Sequence, residues 1–209
     1  AFSGFLSPYG DCKNLASVTI GKNVTSIGDY AFYQCESLTS VTINSNTIAS
    51  KRYTDSESLI DIFGRQVLEF VIGDCVTSIG GYAFYNKDYG AIFNSCLKSV
   101  TIGKNVTSIG DEAFYNCNRL TSVHISDLAA WCAISFGSNP LDYAHNLYLN
   151  GELVTDLVIP DSVTSIGDDA FRNCTSLTSV TIGNSVISIG NYAFRNCTSL
   201  TSVTIGNSV

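Results

Sequence analysis

Apolar and small polar residues alternate in short runs that return along the whole chain. Leu15-Ala16-Ser17-Val18-Thr19-Ile20 sets the pattern, with Leu15, Val18 and Ile20 forming an apolar row and Ser17 and Thr19 a polar one. A period of two is the mark of a half-buried strand. Gly21 ends the strand, Val24 and Ile27 supply a second, shorter apolar pair, and Gly28 a turn. Asp29-Tyr30-Ala31-Phe32 predicts a single helical or 3₁₀ turn capped by Asp29. Ala31, Phe32 and Cys35 complete the inward row.

The pattern repeats. Residues 97–114 and 177–194 restate residues 15–32 with few changes. The last isoleucine of each strand falls at Ile20, Ile43, Ile72, Ile102, Ile125, Ile159, Ile182 and Ile205, at spacings of 23, 29, 30, 23, 34, 23 and 23. The unit is therefore 23 residues long, and about eight units are present. Insertions fall near residues 3–9, 49–66, 85–96 and 127–156. Within them, Ile62-Phe63 stands in for a missing Ala-Phe pair, and residues 147–154 read as a hairpin about Asn150-Gly151. Two strand-length pieces and a turn cannot bury their apolar faces alone. Stacked at roughly 4.8 Å they bury them on each other. The expected fold is one repeat solenoid over residues 1–209, β-rich with little helix. It has a parallel concave β-sheet, short second strands and single helical or 3₁₀ turns.

The run L-x-x-V-x-I-x-x-N at Leu15, Val18, Ile20 and Asn23 resembles the leucine-rich-repeat signature. The longer unit ending in S-I-G-x-x-A-F-x-x-C resembles the BspA-like class of these repeats. Its I-G-x-x-A-F core recurs at residues 27–32, 79–84, 109–114, 166–171 and 189–194. The resemblance implies a leucine-rich-repeat superhelix from a bacterial surface or secreted protein. It also implies adhesion to a protein ligand, such as a host matrix or receptor protein, and an extracellular or cell-surface location. It carries over no catalytic residue, cofactor or metal.

Composition narrows the classes. Only 14% of residues are charged, with 11 Lys+Arg against 18 Asp+Glu and a net charge of −7. Nucleic acid and anionic membranes need clustered cations, so neither is an expected partner. No apolar run approaches the 18 or so residues of a membrane span. The chain opens without a signal peptide and contains no Met, so it reads as a fragment of a longer protein, in solution a monomer or weak end-on dimer. Five of eight cysteines (Cys12, Cys35, Cys117, Cys174 and Cys197) share one repeat position. Stacking places neighbours about 4.8 Å apart with parallel Cβ vectors, whereas a disulfide wants about 3.8 Å and convergence. Buried free thiols are therefore expected, with Cys96 and Cys132 off the register. No C-x-x-C, G-x-S-x-G or phosphate-binding loop is present. The imidazoles are His124, on the outward row, and His145, close in sequence to Cys132. Asp168-Asp169 sits at the capping position of Asp29 and Asp111.

Two surfaces remain as candidate ligand-binding sites. One is the concave face, through Thr19, Thr42, Thr101, His124, Thr181 and Thr204. The other is the set of insertions, through Arg52, Tyr53, Tyr89, Trp131 and Tyr143, since aromatics and arginine are favoured at hot spots. A non-catalytic protein-binding module is the expectation. A structural spacer and a carbohydrate- or cell-wall-binding repeat, with Trp131 or Tyr143 as stacking platforms, are the alternatives.

Overall fold

The Ser-Val-Thr-Ile runs form four-residue strands because their β-branched residues fit a pleated, half-buried surface. The computed structural model describes residues 12–28, 31–87 and 95–209. Six parallel strands, Ser17–Ile20, Ser40–Ile43, Glu69–Ile72, Ser99–Ile102, Ser122–Ile125 and Leu147–Leu149, pair in chain order. The register is direct: Val18 lies opposite Val41, then Phe70, Val100, Val123 and Leu147. A second sheet continues with Asp156–Ile159, Ser179–Ile182 and Ser202–Ile205. Two smaller parallel sheets are built from the Ser-Ile pairs, Ser78–Ile79, Ser108–Ile109 and Ser135–Phe136 in one, Ser165–Ile166 and Ser188–Ile189 in the other. The strands are joined by turns, and helix is confined to four short pieces among the described residues: Asn46–Ser50, Leu59–Phe63, Leu128–Cys132 and Leu141–Ala144.

The helices occupy the two most divergent insertions and begin on local caps. Ser45 accepts from the Ile48 N–H and Asp127 from the Ala130 N–H. Ser58 and Asp61 exchange bonds in a capping box. The A-F segments themselves differ from the expected helical or 3₁₀ turn. Tyr82, Glu112, Asp169 and Tyr192 have φ near +60°, as do Gln34, Asn116, Asn173 and Asn196 a half-turn later. In the three coils where both are present, Glu112/Asn116, Asp169/Asn173 and Tyr192/Asn196, the two left-handed residues break helical continuity and give two successive tight turns. Asp29, the proposed cap, lies outside the described residues. Its counterpart Asp168 accepts from the backbone N–H of Asn191 (2.6 Å), so it caps the next coil rather than its own.

The hairpin about Asn150-Gly151 forms as expected, both residues having positive φ. Its first strand, however, is also a rung of the main sheet, a role the isoleucine markers do not reveal. The second strand, Glu152–Leu153, folds back onto Leu147–Leu149 and takes its free edge. The ladder is thereby interrupted and restarts at Asp156. At the position after the strand, Asn44, Gly73, Asn150 and Gly206 each donate an N–H to the preceding rung at 2.8–3.0 Å. The restarting rung has Pro160 there, which has no N–H to donate.

The core crosses this interruption. Buried apolar residues from Ile20 to Cys197 form one contiguous cluster. Trp131 Nε1 donates to the Ala170 carbonyl (2.8 Å), and the Gly167 N–H donates to the Cys132 carbonyl (2.8 Å). Phenylalanine rings stack between coils: Phe32 on Phe63 (4.8 Å), Phe84 on Phe114 (5.0 Å) and Phe171 on Phe194 (5.3 Å). Phe63 thus fills the aromatic column where the second coil lacks its Ala-Phe pair. Coils also touch through backbone. A Cβ on Gly110 would lie 2.5 Å from the Gly81 nitrogen, so only glycine fits.

Candidate binding surface on the main sheet

The polar members of each strand point away from the core and align into two columns. One runs Ser17, Ser40, Glu69, Ser99, Ser122, and the other Thr19, Thr42, Val71, Thr101, His124, Tyr148. Past the interruption they resume as Asp156, Ser179, Ser202 and Val158, Thr181, Thr204. Thr19, Thr181 and Thr204 are exposed, and Thr42, Thr101 and His124 half-buried. The columns carry two carboxylates and no cation. Ser40 Oγ donates to Glu69 (3.2 Å), and Ser179 Oγ to Asp156 (2.6 Å). The Ser179 bond holds the Asp156 carboxyl below its ordinary range.

His124 and Tyr148 stack at 4.7 Å between ring centroids, 20° from coplanar. Loss of water around His124 lowers its pKa, partly offset by Glu69, so the ring is neutral at pH 7. Tyr148 is absent from the expected set because Leu-Tyr-Leu reads as half of a hairpin. Its alternation with two apolar neighbours is the signal that places it beside His124.

The insertions behave differently from expectation. Tyr53 is 3% exposed and Trp131 1%, so neither meets a ligand. The Tyr53 hydroxyl donates to the Ile48 carbonyl (2.9 Å), and burial pushes its pKa up. Tyr143 is half-buried, its hydroxyl accepting from the Asn116 N–H (2.9 Å). Arg52 is exposed, its guanidinium 5.5 Å from the Tyr82 ring centre. Tyr89 lies outside the described residues.

All eight cysteines are free. Cys35, Cys117, Cys132, Cys174 and Cys197 are buried, Cys12 and Cys96 half-buried, and Cys75 exposed. Cys117 and Cys197 donate to the Phe84 and Phe171 carbonyls one coil back. Burial pushes the Cys132 thiol up to about 12 and Cys197 to about 11, which keeps both protonated and unreactive. His145 Nδ1 sits 3.3 Å from the Asn173 carbonyl, and no hydrogen bond joins it to Cys132. Among the described residues no cluster of His, Cys, Asp and Glu is arranged to hold a metal, and no helix is long and apolar enough to cross a membrane.

Parallel strands at a 23-residue repeat, joined by tight turns with little helix, define a leucine-rich-repeat protein. The chain belongs to the family described as BspA type leucine rich repeat region, which matches residues 7–88, 63–137 and 144–209 in six copies. Its fold is similar to that of a leucine rich cell surface protein from Faecalibacterium prausnitzii A2-165, at 24% identity over 93% of this chain and 62% of that one, with a TM-score of 0.40. It is also similar to a leucine-rich repeat protein from Bacteroides ovatus ATCC 8483, at 26% identity over 93% and 56%, TM-score 0.35. A third is the leucine rich repeat protein of T. pallidum, at 16% identity over 92% and 71%, TM-score 0.37. The chain thus spans 62% and 56% of the length of the first two. A comparison with curated proteins finds no match.

Proposed function

We propose that this chain is a non-catalytic, protein-binding part of a bacterial cell-surface or secreted protein. In this reading residues 1–209 form one solenoid, and a protein ligand lies on its concave main-sheet face. The observation that carries it is the face itself: hydroxyl columns in direct register over successive rungs, with one stacked His124–Tyr148 pair among them. Such a surface offers donors and acceptors at about 4.8 Å intervals with only two carboxylates, Glu69 and Asp156, to desolvate. Family membership and the cell-surface description of the F. prausnitzii protein support the location. Thr42, Thr101 and His124 lie at the centre of the proposed contact, with Thr19, Thr181 and Thr204 towards its ends. A spacer role is the second reading, favoured by the burial of Tyr53 and Trp131, which removes two inserted aromatics from the recognition surface. The carbohydrate reading loses Trp131 as a platform for the same reason.

The test is surface plasmon resonance on immobilised fibronectin, fibrinogen and collagen, comparing the parent with Thr42→Lys/Thr101→Lys. The double variant should weaken capture about tenfold, roughly 1.4 kcal/mol, with an unchanged circular dichroism spectrum. Equal capture by the double variant overturns the face assignment. Failure of all three proteins to bind the parent favours the spacer.

A further inference from the structure

On the turn-bearing side of the coils lies a second exposed surface that the sheet face does not include. Tyr82 and Tyr85 meet at 5.2 Å between ring centres, and Tyr85 stacks on Tyr115 of the next coil at 5.2 Å, 12° from coplanar. Tyr115 is 48% exposed, and Tyr82 and Tyr85 are half-buried. Their floor is rigid. Asn86, buried, donates to the Asn116 carbonyl, and Asn116 donates back to the Asn86 carbonyl, both at 3.0 Å. The rings are therefore held in place before any partner arrives.

One exposed carboxylate, Glu112, touches the rings, and the charge of a second, Asp55, reaches them. Glu112 accepts from the Tyr82 hydroxyl (3.3 Å), and its charge is the main cause raising that phenol's pKa, with Arg52 opposing it and Asp55 adding to it. Burial is the main cause at Tyr85, but Tyr115, Glu112 and Asp55 contribute there too. Both carboxylates thus act on the same rings. Neither forms an ion pair among the described residues. At one end of the stack the Arg52 guanidinium already lies 5.5 Å from the Tyr82 ring centre.

Aromatic faces beside carboxylates that form no ion pair attract cations twice over, through the ring quadrupole and through charge. Planar guanidinium groups and lysine ammoniums fit such a surface, whereas anions are repelled by it and by the net charge of −7. Tyrosine is also a favoured hot-spot residue. We propose that Tyr82, Tyr85 and Tyr115, with Asp55 and Glu112, form a binding surface for a lysine- or arginine-bearing segment of a protein partner. Arg52 occupies one end of it within the chain itself. This surface is separate from the sheet face, and its probe is different, so failure of either proposal leaves the other readable.

The experiment is fluorescence anisotropy with a labelled oligoarginine peptide, with an oligoglutamate of equal length and a neutral labelled oligosaccharide as comparisons. Tyr85→Ser/Tyr115→Ser and Asp55→Asn/Glu112→Gln should each weaken oligoarginine binding about tenfold. Glu152→Gln/Asp161→Asn removes the same charge elsewhere on the surface and should change binding less than about twofold. Equal weakening by that control pair would mean that net charge alone attracts the peptide, and the proposal fails. It also fails if the tyrosine pair binds like the parent, if the parent does not bind oligoarginine, or if the oligosaccharide is preferred.

Discussion

Phe84→Ala lowers the free energy of unfolding by about 3–5 kcal/mol, the range for deleting a fully buried ring. Phe84 has no exposed surface and touches Phe70 at 4.9 Å and Phe114 at 5.0 Å. Its removal deletes two ring contacts and leaves a cavity bounded by backbone that cannot collapse. The coils above and below are pinned by bonds such as Phe84 N–H to the Ala113 carbonyl (2.7 Å), which alanine retains. Phe194, half-buried near the end of the stack, occupies the same repeat position and gives the comparison. Phe194→Ala should cost clearly less. Urea denaturation followed by circular dichroism checks both, and equal losses at the two positions would mean that the column is not the source of the effect.

Trp131→Ala is expected to cost about 3–5 kcal/mol as well, but with a different consequence. Trp131 lies where the main sheet is interrupted, and its indole N–H reaches the Ala170 carbonyl beyond the interruption. Strand pairing stops at the Glu152–Leu153 hairpin. The coils on either side are therefore joined by buried Trp131, by the Gly167 bond to Cys132, by Asn139, which donates to the Asp169 carbonyl (2.8 Å), and, nearer the surface, by Asp142, which accepts from Asn173 (2.6 Å) and pairs with Arg172 (3.4 Å), and by the Thr175 N–H to the His145 carbonyl (3.0 Å). Loss of the indole should split the urea transition, with the segment after residue 155 unfolding first. Trp131→Phe keeps most of the ring and loses the bond, and should cost about 1–3 kcal/mol. A single transition in Trp131→Ala, at nearly the parental midpoint, would show that the indole does not couple the two sides.

Much of this architecture is legible in the sequence because a 23-residue repeat writes each constraint many times. Val18 and Ile20 face inward and Thr19 outward, and the same choice recurs at Ser40–Ile43, Ser99–Ile102 and Ser179–Ile182, so register and face follow together. The register cysteines are legible on the same grounds, with Cys12 only half-buried where the described stack begins. What escapes is whatever occurs once. Leu147–Leu149 answers to two patterns, hairpin and rung, and period-two alternation cannot separate them. Tyr53 and Trp131 look like surface aromatics because their segments break the repeat. Their burial rests on partners distant in the chain or within the insertion, the Ala170 carbonyl for Trp131 and the Ile48 carbonyl for Tyr53, which only packing reveals. The left-handed turn residues carry no glycine to announce them, and Tyr82 or Glu112 at φ near +60° is held there by the coils on both sides. The Tyr82–Tyr85–Tyr115 stack joins residues of two coils, and nothing in either coil alone marks it.

Trp131 is the single tryptophan of the chain, so its emission reports on the junction alone. Steady-state fluorescence of the native protein, with iodide as quencher, asks directly whether one core passes through the interruption. A blue-shifted spectrum that iodide leaves intact, turning red and quenchable only as circular dichroism is lost in urea, is the predicted result. A red, iodide-quenched emission from the folded protein would mean that the two sheets are not packed on a common interior.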